Sequence, residues 1–406
     1  MGSRKSFELP RGVGFAVSAL EAAGFEAYAV GGAVRDLVRG VEPSDFDITT
    51  RALPAQVKEV FRGFKTYDTG IKHGTVTVIS DGMPLEITTY RIEDGYSDGR
   101  HPDGVRFAKG IEDDLSRRDF TVNAMAFSPS RGLVDPFGGE VDIKNRVIRA
   151  VGEAEKRFEE DGLRIMRALR FAAVLGFEIE AKTAEALFLH RQNLLRVSSE
   201  RLSAELGKLL CGEGATAVLK RFAEVFATVY PSMLGVEPCS VDKVENCLEQ
   251  RLAALFFDLG EKKAGELCQR LRFSHELLYG ALCLAKVAGA ELKNGKPFLK
   301  REMRRFGADS FIKCLEFRKR VVSEAQAGEA LSSVCEILQN GECYDLKGLA
   351  LDGDVLISAG AVRGRAVGEA LELLLDAVID GKVENSKECL LKYFLNRMTD
   401  NKGDGV

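Results

Sequence analysis

The chain has 406 residues and a mass of 44.4 kDa, with 45% apolar and 29% charged residues, a balance that excludes collagen, coiled-coil and disordered classes. Lys+Arg 57 against Asp+Glu 61 gives a net charge of −4, so bulk charge announces no nucleic-acid binder and any basic surface has to be local. At roughly 100–200 residues per domain the length predicts two to four domains, able to bury cores without disulfides or metals.

Lys5 and Arg11 precede Val13–Ala23, a stretch that carries Glu21 and repeats its apolar positions at helical spacing; it reads as an amphipathic first helix rather than a signal peptide. Phe25–Val30, Lys72–Ile79, Leu85–Tyr90 and Val105–Phe107 are short runs rich in Val, Ile, Tyr and Thr between Gly, Asp and Pro clusters, the pattern of strands. Helical stretches, Ala33–Arg39 and Pro54–Arg62, alternate with them. From about Gly152 the strand signal nearly vanishes, and helical pattern takes over at Glu159–Leu175, Thr183–His190, Ser199–Leu210, Ala215–Phe226 and Lys243–Asp258. The expected architecture is a small α/β head followed by a long, mainly helical remainder, broken softly at Tyr230–Ser232, Gly235–Pro238 and Asn294–Pro297.

No apolar run approaches ~18 residues, so no membrane span is expected and the protein reads as soluble and cytoplasmic. All nine cysteines fall between Cys211 and Cys389 without C-x-x-C spacing or a nearby His, which predicts reduced, mostly buried thiols. Residues 285–320 hold eleven Lys or Arg against four acids. That stretch is either a solvated helix face or a strip contacting a phosphate backbone, with Arg304, Arg305, Lys319 and Arg320 the candidates.

The head contains Gly31-Gly32-Ala33-Val34-Arg35-Asp36 and then, nine residues after Asp36, Asp45-Phe46-Asp47. In an extended strand residues i and i+2 share a side, so Asp45 and Asp47 present two carboxylates that repel unless a hard divalent cation such as Mg²⁺ lies between them. A surface turn pair is the plain alternative. A Gly-Gly pair between strand and helix lets backbone N–H groups approach a phosphate at a helix N-terminus, and Arg35 can fork onto phosphate oxygens. Phosphate cradle plus metal clamp suggests nucleotidyl transfer by a two-metal mechanism, for which a third carboxylate is wanted. Glu86 is the candidate: an acid buried between Leu85 and Ile87 needs a reason, although a structural ion pair would also supply one.

On Gly31-Gly32-x-x-Arg35-Asp36, Asp45-x-Asp47, Arg117-Arg118-Asp119-Phe120-Thr121-x-Asn123-Ala124, and Glu160-Asp161-x-x-Arg164 followed by Arg167-Ala168-x-Arg170-Phe171, the sequence resembles the class II tRNA nucleotidyltransferase and bacterial poly(A) polymerase family. The match is dense from about residue 25 to 180 and thinner at Ser199-Glu200-Arg201 and beyond Gly353. The resemblance implies an α+β, polymerase-beta-like catalytic head at 1–148, then an all-α neck (149–210, nucleotide template), body (211–295) and tail (296–406, tRNA binding). It also implies CTP and ATP as substrates, Mg²⁺ as cofactor and tRNA as partner. It places Arg118 near the triphosphate, Asp119 and Asn123 near ribose or metal-side contacts, and Arg167 in the site. Arg117 is left as a helix-surface charge, and Arg170 as the partner of an acid from the head.

Glu160–Arg164 is expected early in one helix, so that Asp161 and Arg164 share a face. Arg164 can donate to the ring nitrogen of C or A while Asp161 accepts from the exocyclic amine; G and U reverse both groups. Without the resemblance this would read as a surface pair. The Gly-rich, charged stretch from Tyr90 to Pro102 reads as a mobile loop, which in the family goes with the switch from C to A addition and argues against an enzyme adding C-C alone; His101 is read as a loop residue. The non-basic C-terminus argues against poly(A) synthesis. The expected function is therefore template-independent C-C-A addition to tRNA, with release of pyrophosphate. The alternatives are an A-adding enzyme, a poly(A) polymerase, a small-molecule nucleotidyltransferase and a non-catalytic RNA-binding module.

Overall fold

The computed structural model describes residues 7–68, 70–94, 104–293, 295–322, 325–360 and 363–400. His101 and most of the expected loop lie outside the described residues. The backbone packs into two compact units: residues 1–242 with 265–274, and 243–264 with 275–406.

The first unit opens with helix α1 (Arg11–Ala22), whose Val13, Ala16, Val17 and Leu20 are buried at the spacing of one helical face. Strands β1 (Ala27–Val30), β2 (Asp47–Thr50), β3 (Thr66–Tyr67), β4 (Thr75–Ser80) and β5 (Met83–Thr89) follow, with helix α2 (Gly32–Arg39) after β1 and α3 (Pro54–Val60) after β2. Pro54 opens α3, and Gln56 Oε1 accepts from the Leu53 N–H at 2.8 Å, satisfying one donor at the start of the helix. Strands β6 (Arg91–Asp94) and β7 (Gly104–Phe107) form a separate antiparallel pair. Helix α4 (Ile111–Ser116) and strands β8 (Ala126–Ser128) and β9 (Gly132–Val134) complete the head, followed by α5 (Gly139–Asn145).

The main sheet has the order β3-β4-β5-β2-β1-β8-β9, with β2 and β5 parallel and the other neighbours antiparallel. Register sorts its two faces. Ala29, Ile48, Ile87 and Val76 align across β1, β2, β5 and β4 and are buried on the side covered by α1 and α3. One residue along, Val30, Asp47, Glu86 and Thr77 align on the opposite side. There Tyr28 and Val30 pack with Tyr90, Ile111, Leu115 and Val151, while the acids stay exposed.

The helical continuation departs from the sequence pattern in instructive places. Glu159–Leu175 is not one helix but two, α6 (Ala154–Glu160) and α7 (Leu163–Leu175). The break is fixed by Gly162: a Cβ there would lie 2.5 Å from the Asn193 carbonyl oxygen, so only glycine lets the two segments close up. Ala215–Phe226 likewise divides, into Ala215–Arg221 and Ala223–Val229. Helices α8 (Ala181–Leu189) and α9 (Ser199–Leu210) form near the expected limits.

The second unit is helical among its described residues. Helices Lys296–Phe306, Ala308–Val321 and Ala325–Gln339 enclose Leu299, Met303, Phe311, Leu315, Val334 and Ile337. Helices Gly353–Ser358, Arg365–Ile379 and Lys387–Asp400 enclose Leu356, Leu374, Leu375 and Leu390. All nine cysteines are free, but only Cys314 and Cys343 are buried and Cys239, Cys247 and Cys335 are exposed, so they are not mostly core residues.

Candidate active site

Three elements meet where β1 ends. Gly31 caps α2 at φ 76° and ψ −132°, a conformation reserved for glycine, and a Cβ there would lie 2.9 Å from Arg118 Nη1. Beside this turn stands the acidic row. Asp47 opens β2 and lies directly opposite Glu86 of β5, so the two side chains project together from strands ~4.8 Å apart. Burial of its surroundings, then Glu86, pushes the Asp47 carboxyl above its ordinary value; Arg118 opposes this and Asp45 adds to it. Asp45 precedes the strand rather than lying in it, is exposed, and accepts from Ser44 Oγ at 3.1 Å. Glu86 is exposed, not buried: the pleat turns Leu85 and Ile87 into the core and Glu86 the opposite way.

The donor set fits a hard divalent cation. Carboxylates crowded to the point of raising a pKa are relieved by a dication, and Mg²⁺ takes such oxygens while completing its shell with water and phosphate. Among the described residues no three His, Cys, Asp or Glu side chains form a ready-made cage. The fit is that of an open rim rather than an enclosed structural site.

Arg118 is the cation of this corner. Its Nη2 lies 3.5 Å from Asp114 Oδ2, and its buried Nε has no hydrogen-bond partner among the described residues. Asp114, fully buried on α4, also accepts from Arg117 Nη2 at 2.8 Å, Thr49 Oγ1 at 3.2 Å and the Arg91 N–H at 3.3 Å. Arg117 is thus engaged with a buried acid rather than being a plain surface charge. Arg35 holds Asp36 with both Nε and Nη2 and donates from Nη1 to Asn123 Oδ1 at 2.8 Å. It braces the glycine turn from behind.

Helix α7 is stitched to this region by its own arginines. Asp119, 8% exposed, accepts from Arg167 Nε at 2.7 Å and from Asn123 Nδ2 at 3.2 Å. Burial alone would raise its pKa; the Arg167 charge and these hydrogen bonds outweigh that and hold it below the usual carboxylate range. Arg164 donates from Nη2 to the Arg117 carbonyl at 3.0 Å, and from Nη1 to Glu160 Oε2 at 2.5 Å and the Arg157 carbonyl at 3.3 Å. Asp161 does not share a helical face with Arg164. It sits in the break between α6 and α7, accepting from the Leu163 N–H at 2.9 Å and from Arg201 Nη2 at 2.8 Å. Arg170 pairs with Glu205 of α9 at 2.6 Å, not with an acid of the head. The sequence reading missed Asp114 and Glu205, and named Glu160 and Arg201 only as motif residues without a task. Asp114 and Glu160 sit three or four residues from the arginines they hold, a helix-pair signal; Arg201 and Glu205 share one face of α9, four apart.

In the second unit the basic strip is largely consumed internally. Arg304 pairs with Glu372 and lies 3.8 Å from Asp376, Arg320 reaches Glu245 at 2.7 Å, Arg301 pairs with Asp380, and Lys296 and Lys300 share Glu342. Arg304 and Arg320 are therefore already neutralised by acids distant in sequence. Arg305, 3.9 Å from Glu302, and Lys319 remain exposed. A cavity of about 710 Å³ in this unit, lined by Glu369, Asp376, Lys382 and Tyr393, contains none of the residues at the end of β1.

The chain is 36% identical over 388 residues to the CCA-adding enzyme of Geobacillus thermodenitrificans (strain NG80-2), covering 92% of this chain and 94% of that one. The chain belongs to the CCA-adding enzyme family. The Geobacillus stearothermophilus CCA-adding enzyme is 34% identical over 394 residues, covering 94% and 95% of the two chains. Residues 27–149 match the family described as "Poly A polymerase head domain", 176–227 "Probable RNA and SrmB- binding site of polymerase A", and 246–394 a tRNA nucleotidyltransferase domain 2 family. The solved CCA-adding enzyme of Bacillus stearothermophilus in complex with CTP superposes with a TM-score of 0.79 at 32% identity, covering 97% of this chain and 98% of that chain. The fold is that of the CCA-adding enzymes, and no helix among the described residues is long and apolar enough to cross a membrane.

Proposed function

We propose that this chain adds C-C-A to the 3′ end of tRNA from CTP and ATP without a nucleic-acid template, releasing pyrophosphate. The observation that carries the reading is the register placing Asp47 beside Glu86, with Arg118 between those acids and the Gly31 turn. Full-length relationship to CCA-adding enzymes supports it. The tRNA 3′-oxygen attacks the α-phosphorus, its proton departs to solvent, and the bond to the β-phosphate breaks in line. Gly32 presents its backbone N–H to the triphosphate, the Gly31 N–H being taken by the Met125 carbonyl at 3.2 Å, and Arg118 offers a charge that costs no reorganisation at the moment of reaction. Arg35 and Asn123 keep the turn in shape, and Asp119 fixes Asn123 and Arg167. Asp45, Asp47 and Glu86 would hold Mg²⁺, which supplies activation of the attacking hydroxyl and charge neutralisation at the transferring phosphoryl group.

Asp161 and Arg164 read the base. Their partners pin both groups without exhausting them: each Asp161 oxygen keeps a lone pair, and Arg164 has five N–H donors of which the three hydrogen bonds above use three. A rigid acceptor beside a rigid donor suits the amine and ring nitrogen of C and A and leaves G and U mismatched. The division at residues 148, 210 and 295 belongs to this proposal, as do contact of Arg305 and Lys319 with tRNA phosphates and a cytoplasmic location, where these substrates are found. The test is pyrophosphate release: it requires tRNA, Mg²⁺ and CTP or ATP together on this reading, while binding without release would make the chain an RNA-binding module.

A further inference from the structure

Arg164, Arg167 and Phe171 recur at i, i+3 and i+7 along α7, one stripe of the helix, and each meets the head: Arg164 the Arg117 carbonyl, Arg167 the Asp119 carboxylate, Phe171 the side chains of Arg35 and Phe120. The first two contacts are directional hydrogen bonds. The third is an aromatic ring beside three guanidinium groups, with Arg170, Arg167 and Arg35 Cζ atoms at 3.9, 5.4 and 5.5 Å from its centroid. Phe120 stands edge-on to it at 5.8 Å and 78°. All three cations lie within the ~6 Å over which a ring quadrupole attracts them. Arg35 belongs to α2, the helix that the Gly31 turn opens, whereas Arg167 and Arg170 belong to the helix whose first turn carries Arg164.

We infer that Phe171 is a positioning residue for nucleotide choice: it fixes the distance between the phosphate-holding turn and the base-reading pair by joining Arg35 to Arg167 and Arg170. The inference rests on the function proposed above. Phe171 is 5% exposed and two helical turns from Arg164, so it touches no substrate; its effect runs through Arg35 and the seating of α7. Each guanidinium keeps its own carboxylate, Asp36, Asp119 or Glu205, but loss of the ring removes the surface that joins α2 to α7, and α7 reseats. Arg164 and Asp161 then meet the base at a looser distance from the triphosphate.

The test measures kcat/KM for CTP and for UTP on tRNA ending before C-C-A, with the thermal midpoint, for the parent, Phe171→Leu and Phe171→Tyr. The expected result is that Phe171→Leu keeps CTP addition within about threefold while the CTP-to-UTP ratio falls about tenfold, and that Phe171→Tyr, which keeps the ring, retains the parental ratio. A lowered midpoint with a CTP-to-UTP ratio within twofold of parent makes Phe171 an ordinary core residue and overturns the inference, as does loss of the ratio in Phe171→Tyr. If Phe171→Leu does not fold, Phe171→Met carries the same comparison. A parent chain that extends no tRNA instead removes the proposed function on which the inference stands, an outcome read before any variant.

Discussion

Gly31 and Asp47 act at the level of single atoms, and each makes a separate prediction. Gly31→Ala forces a Cβ toward Arg118 at a backbone angle closed to alanine; it should cost about 1–3 kcal/mol in denaturant unfolding and raise the KM for nucleotide, because the turn and Arg118 cannot both keep their places. Asp47→Asn should lower nucleotide addition about 10²–10³-fold while leaving the unfolding midpoint unchanged or slightly raised, since it relieves repulsion from Glu86 and Asp45. A lowered midpoint would mean that Asp47 is structural. Comparing Asp45→Asn with Glu86→Gln identifies the third carboxylate. Asp119 adds a pH dependence: its folded pKa is depressed, so its stabilisation is complete above the unfolded value of ~3.9 and is lost as pH falls below it. The thermal midpoint should be flat near neutrality and fall on acidification, less so in Asp119→Asn. The Gly31 turn opening a helix, with Asp47 and Arg118 placed beside it, was legible because short motifs fix such local geometry. The burial of Glu86 was misread and the contacts of Arg35 with Asp36 and Asn123 were not foreseen, because which side of a pleat a residue takes and which partner claims a guanidinium are set by tertiary contacts.

Helix α7 is held against the head by Arg164 and Arg167. Arg167→Ala strands the Asp119 carboxylate in a buried setting and should cost about 2 kcal/mol, less than a fully buried pair because Arg167 is 34% exposed; chemical denaturation checks it. A change below about 0.5 kcal/mol would show that water replaces the arginine freely. The helices themselves were readable from apolar periodicity, and Ser199–Leu210 forms at the expected limits. The α6–α7 break was not. Asp161-Gly162 interrupts a continuous helical pattern, and the reason is the Asn193 carbonyl pressing on Gly162 from 31 residues away. That break is what releases Asp161 from the helix and delivers it to Arg201.

For the molecule as a whole, the sequence showed a mixed head and a helical remainder, but it overestimated the free positive charge of residues 285–320. Acids far along the chain, Glu372 on a helix and Glu245 in a connecting segment, had no local signature beside the arginines they neutralise. Arg305→Ala with Lys319→Ala should therefore weaken tRNA binding and flatten its salt dependence by about one unit of slope for each phosphate no longer neutralised. Arg304→Ala should instead lower stability. The reverse pattern would restore Arg304 as the RNA contact. The central claim is tested most directly with three end-labelled tRNA transcripts, ending before C-C-A, after C and after C-C, each given Mg²⁺ with CTP, ATP or both and read on a sequencing gel. The expected result is growth of the shortest transcript by three nucleotides only when both nucleotides are present. A stop after C-C, addition of A to the C-C transcript alone, or a long A ladder would contradict it and make the chain a CC-adding, A-adding or poly(A)-synthesising enzyme respectively.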